Sequence, residues 1–191
     1  AALACERPAR PSGRPERVLL LTVDTLGEDH VGDAGRYSEP AMPFVEGLLA
    51  RGTRCTRART PRPRTTQALA SLLTGQYPHR TGVRVRVDRL QEGVETVAQM
   101  AQRRGYRTVA VVSNHLLTRQ RGLDRGFDVY DSAGDIRGAD ATTDAALASV
   151  REIAPETPLF LWVHYIDPHV PYHPPRALAK HFDPNYRGRY E

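Results

Sequence analysis

Asp24, Thr65, the run Ser113-Asn114-His115, and the group His164, Asp167 and His169 are the residues of this 191-residue chain whose types and positions suit chemistry. Asp24 closes the apolar run "RVLLLTV". A carboxylate there can hold a hard cation or simply cap the following turn "DTLGED", and both readings stay open. Thr65 opens "TTQALASLLTG". Its hydroxyl is either a nucleophile or, with Thr66, a helix cap, because threonine is a preferred helix starter. His115 alone reads as an exposed loop histidine. "HYIDPH" is denser, with two histidines and an aspartate in six residues.

The elements that must position these groups follow from hydrophobic pattern. "RVLLLTV" (17–23), "RTVAVVSN" (107–114) and "PLFLWVHYID" (158–167) are short continuous apolar runs, the pattern of strands buried on both faces. Helical spacing predicts helices over 42–52, 66–75, 94–106 and 138–154, with Gly52 and Gly75 as stops. Residues 53–64 read as an arginine- and proline-rich loop, and the four prolines of "PHVPYHPP" exclude strand or helix interior. Helices alternating with buried strands predict an α/β fold with a largely parallel sheet. In such sheets ligands bind beyond the carboxyl ends of the strands, so Asp24, Asn114, His115, His164, Asp167 and His169 are expected on one rim. Thr65 at a helix N-terminus adds a place for an anion. Cation, anion site, hydroxyl and histidines together suit a phosphate or sulfate ester.

Composition narrows the field. Hydrophobic content of 40% and charged content of 26% are ordinary for a globular protein. The net charge of +5 is carried by arginine, since Lys180 is the one lysine. The arginines of 51–64 form a basic cluster that would attract any polyanion. Elsewhere arginines alternate with acidic residues and aromatics are 7%, which disfavours nucleic acid. No run approaches the roughly 20 apolar residues of a membrane span. Residues 1–16 read as a tail or post-signal linker. "AALAC" resembles the end of a bacterial lipoprotein signal, with Cys5 as the lipidated residue and membrane tether; a disordered tail is the alternative. Two cysteines, Cys5 and Cys55, give no disulfide framework.

Taken in order, "RVLLLTVDTLGEDHVG", "MPFVEGLLARGTRCTRART", "ASLLTGQYPHRTGV", "ETVAQMAQRRGYRTVAVVSN", "GLDRGFDVYD" and "PLFLWVHYIDPHVPYHPP" resemble the sulfatase family of the alkaline-phosphatase superfamily over residues 17–176. The resemblance implies a three-layer αβα fold with a central, mostly parallel (mixed) sheet, incomplete here. Residues 17–191 would be the N-terminal part of the catalytic domain, a fragment inactive alone. The implied activity is metal-dependent hydrolysis of sulfate esters through a covalent intermediate. The cation is expected to be calcium, with magnesium and zinc as alternatives, and the location periplasm or cell envelope.

Carried over by position, Asp24 resembles the first metal-binding aspartate, and Thr65 stands where the nucleophile lies and would share the metal. His115 matches the histidine of the Lys-x-His motif, and His169 the histidine at the substrate's oxyanion; His164, Asp167 and Asn114 join the substrate-binding set. The departures are specific. The activation signature Cys/Ser-x-Pro-x-Arg reads Thr65-Thr66-Gln67-Ala68-Leu69, so Thr65 cannot become formylglycine and Leu69 replaces the arginine. Thr25 stands for a second metal aspartate, and Ser113 for the lysine. Threonine nucleophiles occur in the superfamily's phosphoethanolamine transferases and phosphodiesterase-like members, which makes phosphoryl transfer the alternative. A non-catalytic relative with the same fold is a further alternative, and polyanion binding through 51–64 a third. An anionic ester, such as a sulfated saccharide, would reconcile the first and last.

Overall fold

A computed structural model describes residues 16–31, 42–134, 136–185 and 187. The tail carrying Cys5 lies outside the described residues. Four strands form one sheet: β1 (Arg17–Val23), β2 (Arg107–Val112), β3 (Val129–Asp131) and β4 (Leu159–Tyr165). Their order is β1-β4-β2-β3 and every pairing is parallel. Six α-helices accompany them: α1 (Pro43–Leu49), α2 (Thr65–Thr74), α3 (Pro78–Thr81), α4 (Val97–Gln102), α5 (Ala139–Arg151) and α6 (Arg176–Phe182).

Strand alternation divides the core into two layers of packing. Val109 and Val111 of β2 with Leu159, Leu161 and Val163 of β4 meet Ala146 of α5 on one face. Ala110 and Val112 with Phe160 and Trp162 meet Leu69 and Leu73 of α2 and Ala98 of α4 on the other. The sheet is therefore sandwiched between helices, the three-layer αβα arrangement expected. Rings reinforce the second face: Phe127 lies 5.8 Å from Phe160 and 5.9 Å from Trp162.

One strand departs from its reading. "RVLLLTV" was expected to be buried on both faces, but β1 stands at the sheet edge, with Leu19 58% and Leu21 44% exposed. Full burial belongs to β2 and β4, which have neighbours on both sides. The helix expected over 42–52 forms only as α1, and of its apolar positions Phe44 and Leu48 are exposed while Val45 and Leu49 are half-buried. The three short elements β3, α3 and α6 were not read from the sequence, being too brief for a periodicity to emerge. No helix among the described residues is long and apolar enough to cross a membrane.

The same alternation places the chemistry. Leu20 packs on the α2–α4 face, so Thr22 and Asp24 follow it on that side. On β4, Phe160 and Trp162 carry the series to His164. Register sets Thr22 beside His164, with Val112 of β2 on the other flank.

Candidate active site

A cavity of about 750 Å³ opens at the carboxyl ends of β1, β2 and β4. Asp24, Thr65, Asn114, His115, His164 and His169 all line it. These residues come from four separate stretches, and the parallel sheet brings the strand-borne ones together because every strand ends on the same side.

Asp24 is the hub. Its Oδ2 accepts a hydrogen bond from Thr65 Oγ1 at 3.1 Å and another from Asn114 Nδ2 at 2.9 Å. The Asn114 amide has a fixed orientation, since its Oδ1 accepts from the Leu116 N–H at 2.9 Å. Asn114 thus aims its donor at Asp24 and orients that carboxylate. Burial by itself would push the Asp24 carboxyl up. The neighbouring His164, the Thr65 hydroxyl and the charge of His169 outweigh it, and hold the carboxyl below its ordinary value.

Thr65 begins α2, and its hydroxyl does not cap the helix. Arg64 occupies the cap position, where no side chain caps the helix. The Thr66 hydroxyl donates to Arg86 O at 3.0 Å, so neither threonine serves as the cap. The start of this ten-residue helix has no side-chain cap and its residues Arg64, Thr65 and Ala68 line the cavity, a setting that favours an anion. Leu69, in place of the activation arginine, packs into the core and lines the same cavity.

His164 is 2% exposed. Its Nδ1 lies 2.9 Å from Thr22 Oγ1, which also accepts from the buried Trp162 Nε1 at 3.0 Å. Ser113 donates to the His164 carbonyl at 3.0 Å, fixing the backbone. Nε2 has no hydrogen-bond partner and stands 3.6 Å from Asp24 Oδ2. His115 is exposed at the cavity wall. His169 donates from Nδ1 to the Val170 carbonyl at 2.7 Å, which leaves Nε2 for another partner.

Asp167 does not join the group. Its Oδ1 accepts from the Ala139 N–H at 2.8 Å and caps α5 from another segment, because the N-cap Gly138 has no side chain for the task. This structural bond occupies Oδ1, and Asp167 is not among the residues that line the cavity. Two contributors were missed. Arg86 lines the cavity with Arg62 and Arg64, and the alternation of "VRVRV" was its signal. Thr22 was hidden because a threonine inside an apolar strand reads as filler. Three arginines and three histidines line the cavity with a single carboxylate, a balance of charge attractive to anions.

For a divalent cation, Asp24 supplies a carboxylate, Thr65 a hydroxyl and His164 an unpartnered buried nitrogen. This donor set fits a cation with open positions, although no cluster of three or more His, Cys, Asp or Glu side chains occurs among the described residues. Thr25, next to Asp24, has φ 57°, a left-handed conformation costly for a β-branched residue. Thr25→Asn is expected to raise stability by about 0.5–1 kcal/mol, read as a higher urea midpoint with unchanged slope.

Comparison with known proteins bears on the family and the fold. The family model Sulfatase matches residues 16–190. Steryl-sulfatase of Mus musculus is 32% identical over 144 residues, 64% of this chain and 23% of the mouse protein. The structure of BT4656 in complex with its substrate D-glucosamine-2-N,6-O-disulfate superposes with a TM-score of 0.75 at 17% identity, covering 91% of this chain and 38% of that one. The phosphonate monoester hydrolase of Agrobacterium radiobacter superposes at 0.72 and 19% identity, covering 91% and 45%. The chain thus spans about a quarter of the length of the mouse relative it matches.

Proposed function

This chain belongs to the Sulfatase family, and from that premise we propose that it carries the nucleophile-bearing part of a metal-dependent hydrolase of sulfate esters. The observation that carries the proposal is the 3.1 Å hydrogen bond from Thr65 Oγ1 to Asp24 Oδ2, at a helix start beside an arginine- and histidine-lined cavity. Asp24 orients the hydroxyl and can accept its proton. The Thr65 oxygen attacks sulphur and forms an S–O bond. The bond from sulphur to the alcohol oxygen breaks, and that oxygen leaves with a proton from His115 or His169. Water then attacks the Thr65 sulfate ester, releasing sulfate and restoring the hydroxyl. Arg62, Arg64 and Arg86 hold the anionic ester by charge. When bound at Asp24 and Thr65, a divalent cation supplies charge that lowers the hydroxyl pKa and neutralises the incoming anion.

A second reading has its own support. Threonine in place of a formylglycine precursor removes the second hydroxyl by which sulfate would be expelled. The likeness to a phosphonate monoester hydrolase shows the fold alone, but the threonine itself favours phosphoryl transfer. The test is covalent trapping. The full-length protein is incubated with radiolabelled aryl sulfate or aryl phosphonate, quenched in acid and digested. Label on the peptide containing Thr65 is the expected result, and the substrate that delivers it decides the chemistry. Label on another peptide, or none from either substrate during turnover, would overturn the proposal.

A further inference from the structure

The unpartnered nitrogen of His164 is the feature that the reading above leaves unused. The ring is buried and packed against Trp162, with centroids 6.2 Å apart, so it cannot swing away to find a donor. The ring lines the cavity floor next to Asp24.

Neither neutral tautomer satisfies it. Thr22 has one proton and two lone pairs. It accepts from Trp162 Nε1 at 3.0 Å, and its own proton can go to the Val163 carbonyl at 3.4 Å or to His164 Nδ1 at 2.9 Å. In the first arrangement Nδ1–H donates to Thr22, and all three capacities of the hydroxyl are filled. Nε2 then presents a bare lone pair to a carboxylate 3.6 Å away, a repulsive pairing in a buried setting. In the second arrangement Nε2 carries the proton, yet 3.6 Å is too long for a hydrogen bond to Oδ2.

A cation between the two atoms resolves both cases. Zinc binds imidazole nitrogen and carboxylate oxygen at about 2.0–2.2 Å, and at a tetrahedral angle such ligands lie about 3.4 Å apart. The observed 3.6 Å is close to that separation. A ligating histidine also needs its other ring nitrogen tied to an acceptor, and Thr22 provides one.

We propose that His164, through Nε2, is a nitrogen ligand sharing the site's divalent cation with Asp24, and that it biases the site toward zinc-like metals over calcium. The reasoning is chemical: calcium takes oxygen ligands, whereas imidazole suits zinc and its first-row neighbours. Thr22 is the positioning residue, and the Trp162 indole holds Thr22 in turn. The proposal rests on Asp24 as a cation ligand but not on Thr65 as nucleophile, and its readout is binding rather than turnover.

The test titrates the metal-free full-length protein with zinc or calcium by calorimetry. Expected is tighter binding of zinc. His164→Gln should weaken zinc at least 100-fold and calcium less than threefold, and Thr22→Val should weaken zinc about 10-fold through the freed ring. The zinc-loaded wild type needs no substitution: X-ray absorption should show imidazole scattering, and this signal should fall in His164→Gln. Equal zinc affinity in wild type and a folded His164→Gln would overturn the proposal. So would a zinc spectrum without imidazole, or tighter binding of calcium. Zinc bound through imidazole in a wild-type protein that turns over neither ester would sink the hydrolase reading while leaving this one standing.

Discussion

Thr65→Ala in the full-length protein is expected to lower kcat for the preferred ester by about 10⁴-fold or more, the scale seen when a covalent nucleophile is deleted. That factor corresponds to at least about 5.4 kcal/mol of transition-state stabilisation. The loss should fall on kcat with little change in substrate affinity, because Arg62, Arg64 and Arg86 remain in the cavity wall. The interpretation is clean for a structural reason. The Thr65 side chain neither caps α2 nor enters the buried core; its bond runs to Asp24. Alanine at the first helical position should therefore leave stability nearly unchanged, which circular dichroism and a urea titration check. Thr65→Ser keeps the oxygen and should retain measurable turnover. Activity of Thr65→Ala within tenfold of wild type would mean that the attacking oxygen is not this one.

The largest effect on folding is expected far from the cavity, at Gly126→Ala. Gly126 has φ +86°, and a Cβ there would stand 2.2 Å from the Gln99 backbone nitrogen and 2.6 Å from its Cα. Gln99 belongs to the first turn of α4, where Thr96 and Gln99 cap one another reciprocally. The Thr96 hydroxyl also donates to the Arg125 carbonyl at 2.7 Å, so the two segments are tied at the point of contact. A methyl group must break this tie or displace the helix start. Left-handed strain and overpacking together are expected to cost about 3–5 kcal/mol, a large share of ordinary stability. Gly93→Ala is the control. It has a similar φ of +77° but open space around its Cβ position, so it should cost about 1 kcal/mol. The difference between the two urea midpoints isolates the collision from the backbone strain.

The chain's amino acids announced much of the site because its residues end apolar runs. Asp24, Asn114 and His164 stand at or near strand termini, and parallel topology turns shared position in sequence into shared position in space. Thr65 was ambiguous between cap and nucleophile for good reason. Only the structure reveals that its hydroxyl faces Asp24 while Arg64 holds the cap position. The capping role of Asp167 was not legible, because a carboxylate in "HYIDPH" carries no mark of its partner, and that partner is an amide 28 residues away in sequence. The edge placement of β1 was equally hidden. A run of leucine and valine records preference for a sheet, whereas its number of neighbours is decided by strand order, which periodicity does not encode.

The edge position of β1 has a bearing on how the cavity lives over time. Among the described residues β1 pairs with β4 alone, and much of its apolar surface is exposed, yet it carries both Thr22 and Asp24. Local opening free energy follows buried contacts, so the edge strand β1 opens at lower cost than the central strands β2 and β4. When β1 peels away, Asp24 leaves Thr65, Asn114 and His164 in one motion, and the cluster around its carboxylate dissolves while β2 and β4 remain packed. Any ligand that spans Asp24 and a residue of β4 or α2 then acts as a clasp across that seam. Its binding energy would appear as slower amide exchange along Arg17–Val23, so occupancy of the centre and attachment of the strand become a single equilibrium.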